Sequence, residues 1–288
     1  MFMDSQTLLA QKDNGFIERL KQIVGRYIGT TSSNSSQIIQ TAATDESMSP
    51  EMKSAAVSII EKEARRLKTK KRIVEKAESI KSDDENISDE KPTDDWMTRF
   101  FNIVEDVTED TMQNLWAQIL AGEVKRPHSF SLRTLDVLRN MTKEDAELYV
   151  RVINSYCFDR LILTEDQYGI SLEDRISLCE MGLLSPDELT QTITQTQEVN
   201  LQRLNQDYAL KLCKDTTINI EVKFGCRALT KAGRELLQLV DDKGSFDMFA
   251  YVAGKFKKAG MTSVSLHKVL KWAEDGKVRY FITPEKIY

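Results

Sequence analysis

Residues 94–157 read DDWMTRFFNIVEDVTEDTMQNLWAQILAGEVKRPHSFSLRTLDVLRNMTKEDAELYVRVINSYC, and the spacing of their apolar residues decides the fold class. Trp96, Phe100, Ile103, Val104 and Val107 recur at i, i+4, i+7, i+8 and i+11, one face of a helix. Asp94 and Asp95 precede them, where carboxylates satisfy free amides and suit the positive end of the helix dipole. Thr108 is expected to cap a second helix with Met112, Leu115, Trp116, Ile119 and Leu120 inward. Gly122 is expected to stop it, since glycine takes left-handed conformations cheaply, and Pro127 forbids its continuation. Ser131 opens a third helix with Leu132, Leu135, Leu138 and Met141 inward. Thr142-Lys143-Glu144-Asp145, a capping-box variant, opens a fourth with Ala146, Tyr149, Val152, Ile153 and Tyr156. Short loops between such helices predict antiparallel packing. Trp96 and Trp116 would be its largest apolar contributors, each burying ~150–250 Å².

Three motifs within this stretch carry a resemblance. They are Trp96-x-x-x-Phe100, the run from Met112-Gln113 through Leu115-Trp116-Ala117 to Leu120-Ala121-Gly122-Glu123, and Arg126-Pro127-x-Ser129-Phe130-Ser131-Leu132-x-Thr134-Leu135. From Trp96 to Ala146 the chain resembles an uncharacterised family of bacterial proteins with this pattern, and more loosely out to about Val240. More distantly it is similar to the Abi-alpha type of abortive-infection proteins, which share a Leu-Trp-Ala helix. The resemblance implies a bacterial cytosolic protein linked to phage defence, and it carries over no catalytic residue. His128 departs from the pattern, which leads one to expect a small residue such as glycine.

The chain has 288 residues, ample for a real core, with 30% charged and 41% hydrophobic residues, ordinary for a soluble globular protein. A net charge of −5 gives no global nucleic-acid signature, but the charges are unevenly placed. Glu61 to Lys81 is rich in Lys and Arg, Asp83 to Asp95 is acidic, and Tyr251 to Arg279 is basic again. Cys157, Cys179, Cys213 and Cys226 are scattered without a CxxC pair, which fits a reducing, cytoplasmic setting. No run of ~18 apolar residues is present to span a membrane, and the N-terminus lacks a signal-peptide core.

Outward from the central stretch, the class expected is mainly α with a minor β part. Residues 1–48 form an amphipathic helix (Phe16, Leu20, Ile23, Val24, Tyr27, Ile28) and a flexible loop. That helix either touches a membrane surface or, the simpler reading, docks on the core. Residues 49–81 form a basic helix opened by Ser49-Pro50-Glu51, and residues 82–93 an acidic linker. Residues 94–160 are the central antiparallel helical bundle. Residues 161–245 hold a capped helix ending at Gly182, a second helix opened by Ser185-Pro186-Asp187-Glu188, and an alternating strand Ile218, Ile220, Val222, Phe224. Leu229-Thr230-x-x-Gly233-x-x-Leu236-Leu237 then opens a helix, an order similar to winged-helix domains. Residues 246–288 form a helix and a β-hairpin turning at Asp275-Gly276, with a helical reading of Leu266 to Ala273 as its competitor.

Chemistry is sparse. The two histidines, His128 and His267, are far apart, and no His/Cys/Asp spacing suits a metal. Neither a glycine-rich phosphate loop nor a GxSxG elbow is present. No catalytic residue, metal or cofactor is assigned. Three functions compete. The first is a non-catalytic interaction or regulatory protein, in a bacterial anti-phage system, meeting a protein partner or a second copy through Glu123, Arg126 and His128 on the 122–131 loop and Arg133 just beyond it. The structural reading of that loop has Gly122 and Pro127 shape a turn, Phe130 plug the core, and Glu123 pair with Arg126. The second is nucleic-acid binding through Arg65, Arg66, Lys70, Lys71 and Arg72 (within 61–76) and Lys255, Lys257, Lys258, Lys268 and Lys271 (within 251–279). Its structural alternative is a pair of solvated faces matched to their own acids. The third is a toxin or enzyme with a site assembled only by the fold.

Overall fold

The computed structural model describes residues 5–28, 40, 41, 44, 47–80, 87–158, 160–164, 170–241, 243–272, 278–281 and 285–286, with side chains from residue 15 to residue 269. The class is mixed α and β. Two compact units share the chain, Met1–Lys143 and Glu144–Tyr288.

Helices α1 (Ser5–Val24), α2 (Pro50–Glu78), α3 (Asp94–Val104), α4 (Asp110–Lys125) and α5 (Leu132–Arg139) build the first unit. Most starts follow their caps. The Ser49 side chain accepts from the Met52 N–H with Pro50 in the first turn, and the Thr93 hydroxyl accepts from the Trp96 N–H ahead of Asp94 and Asp95. Two expectations fail. The cap of α4 is Glu109, not Thr108, because its carboxylate accepts from the Met112 N–H at 2.7 Å. Gly122 does not stop α4, which runs on to Lys125; the glycine instead lets the Phe130 ring lie against the helix.

The aromatic rings of this unit interlock. Trp96 stacks on Phe100 at 5.1 Å, and Phe100 meets Trp116 edge-on at 5.6 Å. Phe16, Leu20, Ile23 and Val24 of α1 are buried, and the Lys125 Nζ lies 4.9 Å over the Phe16 ring. Tyr27 stacks on Phe101 and donates to Asp94 at 2.6 Å, while Arg19 donates to the Glu90 carbonyl. From Phe16 to Val24 the apolar face of α1 is therefore covered by its own unit rather than presented to a membrane. Of the acidic 82–93 stretch, residues up to 86 lie outside the described residues. Beyond them Pro92 is buried, and the Ser88 N–H donates to the Lys125 carbonyl at 2.9 Å.

The second unit follows as α6 (Lys143–Ile153), β1 (Tyr156–Cys157), β2 (Leu161–Leu163), α7 (Leu172–Glu180), β3 (Leu189–Gln195), β4 (Val199–Arg203), β5 (Tyr208–Cys213), β6 (Ile220–Ala228) and α8 (Lys231–Leu236). Then come α9 (Phe246–Lys258), β7 (Ser263–Trp272), β8 (Val278–Phe281) and β9 (Glu285–Lys286). One antiparallel sheet has the order β1-β2-β6-β3 and the other β4-β5-β7-β8, with β9 also on β7. Between them lies α9. Its Met248, Phe249, Val252 and Phe256 share one buried cluster with Ile193, Val222 and Phe224 of the first sheet and Leu210, Leu212, Val264 and Leu266 of the second.

The helix expected from Ser185 onward is a strand. Ser185-Pro186-Asp187 makes a local turn, the Ser185 hydroxyl accepting from the Asp187 N–H at 3.3 Å, and β3 pairs with β6 from Leu189 to Gln195. The β-branched alternation of Thr190, Thr192 and Thr194 outweighs the cap signal. The last segment pairs β7 with β8 antiparallel, so the helical alternative for Leu266 onward fails; the Asp275-Gly276 turn lies outside the described residues.

Candidate interaction surface

The 122–131 loop is built inward from Glu123. Its side chain, 1% exposed, accepts from the His128 N–H at 2.7 Å and the Phe130 N–H at 2.9 Å. Burial raises its pKa against the pull of those amides. Glu123 thus holds the loop shut and is not displayed to a partner, which corrects its sequence assignment. Trp96 Nε1 donates to the Phe130 carbonyl at 2.7 Å, tying the same turn to α3. Arg126, His128 and Arg133 are exposed. The His128 Nε2 stands 3.1 Å from the Glu90 carboxylate, and its backbone is left-handed at φ 70°. Glycine reaches that region freely, so the departure noted at His128 falls where a small residue has a physical reason.

The basic residues of α2 divide. Arg66 is within ion-pair distance of Glu63, Glu105 and Asp106, and Lys70 lies 2.6 Å from Glu105. These two are spent on their own fold. Arg65, Lys68 and Arg72 are exposed at i, i+3 and i+7, bracketed by exposed Glu61 and Glu75, and Lys71 is half-buried. In the C-terminal set, the Lys255 Nζ donates to the Lys223 carbonyl at 2.6 Å and lies 4.8 Å over the Phe224 ring. Lys257 donates to the Thr262 carbonyl at 2.7 Å. Lys258 and Lys268 are exposed on α9 and β7, and the side chain of Lys271 lies outside the described residues. The set is not one patch of free cations.

Sequence reading missed the outer face of α7. Leu172 is 63% exposed and Ile176 49%, one turn apart, beside exposed Glu173 and Glu180. Leu178 of the same helix is buried on the other side. Two apolar stripes on one short helix are the signal that was available, since only one can face the core. The helix is firmly placed. The Ser171 hydroxyl accepts from the Asp174 N–H, and Asp174 accepts from Arg151 of α6 at 2.9 Å. At its base Arg227 donates to the Pro186 carbonyl at 2.6 Å and to Glu188 at 3.1 Å, with Arg175 3.7 Å from the same carboxylate oxygen.

Among the described residues no group of three or more His, Cys, Asp or Glu is placed to hold a metal ion, and no helix is long and apolar enough to cross a membrane. All four cysteines are free, Cys157 and Cys226 buried. A family model described as "Protein of unknown function (DUF2806)" matches residues 59–160 and 157–253. No curated protein and no solved structure matches the chain.

Proposed function

We propose, from the premise that the chain belongs to the DUF2806 family, that it is a non-catalytic interaction protein whose contact surface includes the outer face of α7. The observation that carries this reading is the exposure of Leu172 and Ile176 beside Glu173 and Glu180. A winged-helix reading of the second unit gives that face its meaning. It is supported by the order β2-β6-β3, by α7 ahead of β3, and by Leu229-Thr230-x-x-Gly233 leading from β6 into α8. Where helix-turn-helix folds bind DNA, one helix enters the groove with polar and basic residues. In the corresponding place α7 offers apolar and acidic ones, which repel phosphate and suit a protein surface. The interlocked Trp96, Phe100 and Trp116 support reading the first unit as a helical bundle acting as scaffold.

Four free, scattered cysteines support a cytoplasmic location. A place in abortive infection rests on the Leu-Trp-Ala resemblance alone, and phage plating with and without the chain tests it. The interaction reading is tested by affinity purification from the native host. A partner retained by the wild type and by Arg65→Gln, but lost with Leu172→Glu and Ile176→Glu, is the expected result. Retention by all of them sinks the α7 surface.

A second reading is nucleic-acid contact through Arg65, Lys68 and Arg72, favoured because all three are exposed while Arg66 and Lys70 are neutralised. Three cations on one helix stripe are suited to phosphates and lack the groove-entering geometry for base readout.

A further inference from the structure

Strand β3 is the outer strand of its sheet, and its sequence is a palindrome. Residues 190–196 read Thr-Gln-Thr-Ile-Thr-Gln-Thr, symmetric about Ile193. The direction of its backbone groups follows from β6. The Gly225 carbonyl accepts from the Thr164 N–H on the β2 side, and the Lys223 carbonyl accepts from Lys255, so both point away from β3. Their register partners are Thr190 and Thr192. In an antiparallel pair such residues turn their own N–H and C=O outward. Thr194, opposite Glu221, does the same by alternation. Among the described residues the one bond to these outward groups is local, from the Gln191 side chain to the Thr192 carbonyl at 3.3 Å.

Edges of this kind are usually blunted by charge, proline or a bulge. From Leu189 to Thr196 there is no charge and no proline, and the β3–β6 register runs without a shift. The side chains of Thr190, Thr192 and Thr194 are exposed.

We propose that β3 is a homodimerisation edge, pairing antiparallel with β3 of a second copy about a two-fold axis at Ile193. The palindrome is what fits a second copy to this edge: run antiparallel about Ile193, it sets like against like from Thr190 to Thr196. Thr192 then faces Thr194 of the second copy, and the two exchange both N–H···O bonds with their outward groups. Gln191 faces Gln195, and Ile193 meets Ile193 on the core side. A two-fold interface uses one patch twice, so a single self-complementary edge suffices. This interface does not rest on the α7 surface.

Sedimentation velocity of the full chain over a concentration series tests it, with three proteins compared. Wild type is expected to dimerise. Thr192→Lys with Thr194→Lys sets like charges opposite each other and should weaken the dimer ten-fold or more. Thr192→Lys with Thr194→Glu sets Lys against Glu at both pairs and should restore it. Both sites are exposed, and unchanged melting of the variants at a dilution where all three proteins are monomeric verifies the fold. Amide exchange supplies an independent reading on unmodified protein. Gln191, Ile193 and Gln195 amides should be protected at every concentration by β6, and Thr192 and Thr194 amides only as the dimer forms. A wild type that stays monomeric overturns the proposal. So does a dimer indifferent to both charge variants, or one whose Thr192 and Thr194 amides exchange freely.

Discussion

The ring of Phe130 occupies the space in which a side chain on Gly122 would begin: a Cβ there would stand 2.8 Å from Phe130 Cε2. Gly122 lies inside α4, where alanine is favoured over glycine by about 1 kcal/mol. The ring cannot swing aside cheaply, because the Phe130 N–H is held by Glu123 and its carbonyl by Trp96. Forcing a methyl group into such packing costs about 1–3 kcal/mol. Gly122→Ala should therefore lower stability by roughly 1 kcal/mol net, despite the helix propensity it gains. Chemical denaturation measures this. A stabilised variant would show that the ring relocates.

Glu123 should make the stability of the first unit sensitive to pH. Burial raises its pKa above the ordinary carboxylate value, so the folded state holds the proton more tightly than the unfolded one. The sign follows by linkage. Its favourable contribution is complete below the unfolded carboxylate pKa and declines as pH rises through the raised folded value. Glu123→Gln removes this titration, and one of its two side-chain acceptors as well, leaving the His128 or the Phe130 N–H unmet. The variant should be less stable than wild type, by a margin that narrows as pH climbs out of the acidic range. A margin independent of pH would place the proton elsewhere.

How far the sequence spoke depended on whether one interaction dominated each local choice. The caps at Ser49 and Ser171 and the apolar faces around Trp96 and Trp116 were legible, since cap and periodicity agree there. Ser185-Pro186-Asp187-Glu188 carries as good a helix start, yet β6 claims the residues beyond it, and strand pairing across that many residues is not visible locally. Glu123 looked like a loop charge because sequence spacing does not reveal that two amides five and seven residues on fold back to it. The exposed stripe of α7 is not legible locally, since Leu172, Ile176 and Leu178 are all apolar and spacing alone does not say which of them faces the core.

His128 holds a backbone conformation with φ 70°. A residue with a side chain pays about 1–2 kcal/mol for the left-handed region, and glycine pays little there but loses about 0.5–1 kcal/mol through its freer unfolded chain. His128→Gly also gives up an exposed contact with Glu90, which is worth little at the surface. The expected result is a gain of about 0.5 kcal/mol, read as a higher melting temperature. A loss would mean that the Glu90 contact, or packing of the imidazole, outweighs the backbone.

The last prediction separates structural from available charge on α2. Arg66 and Lys70 meet Glu105 at 3.3 and 2.6 Å, and both cations are largely shielded from solvent. Arg66→Gln with Lys70→Gln should lower the melting temperature, and less so at high salt, since such pairs are partly screened. Arg65→Gln with Arg72→Gln should change melting less, because both residues are exposed and the attraction of Arg72 to Asp110 is screened at the surface. If this stripe meets phosphates, the second pair of changes should also reduce the slope of log affinity against log salt by about 2 for duplex DNA. The first pair should alter that slope far less, since a cation already matched to a carboxylate releases few counterions from the nucleic acid. Filter binding over a salt series measures both. Equal slopes for wild type and the Arg65, Arg72 variant would remove α2 from any nucleic-acid surface and leave the α7 and β3 contacts as the chain's interaction surfaces.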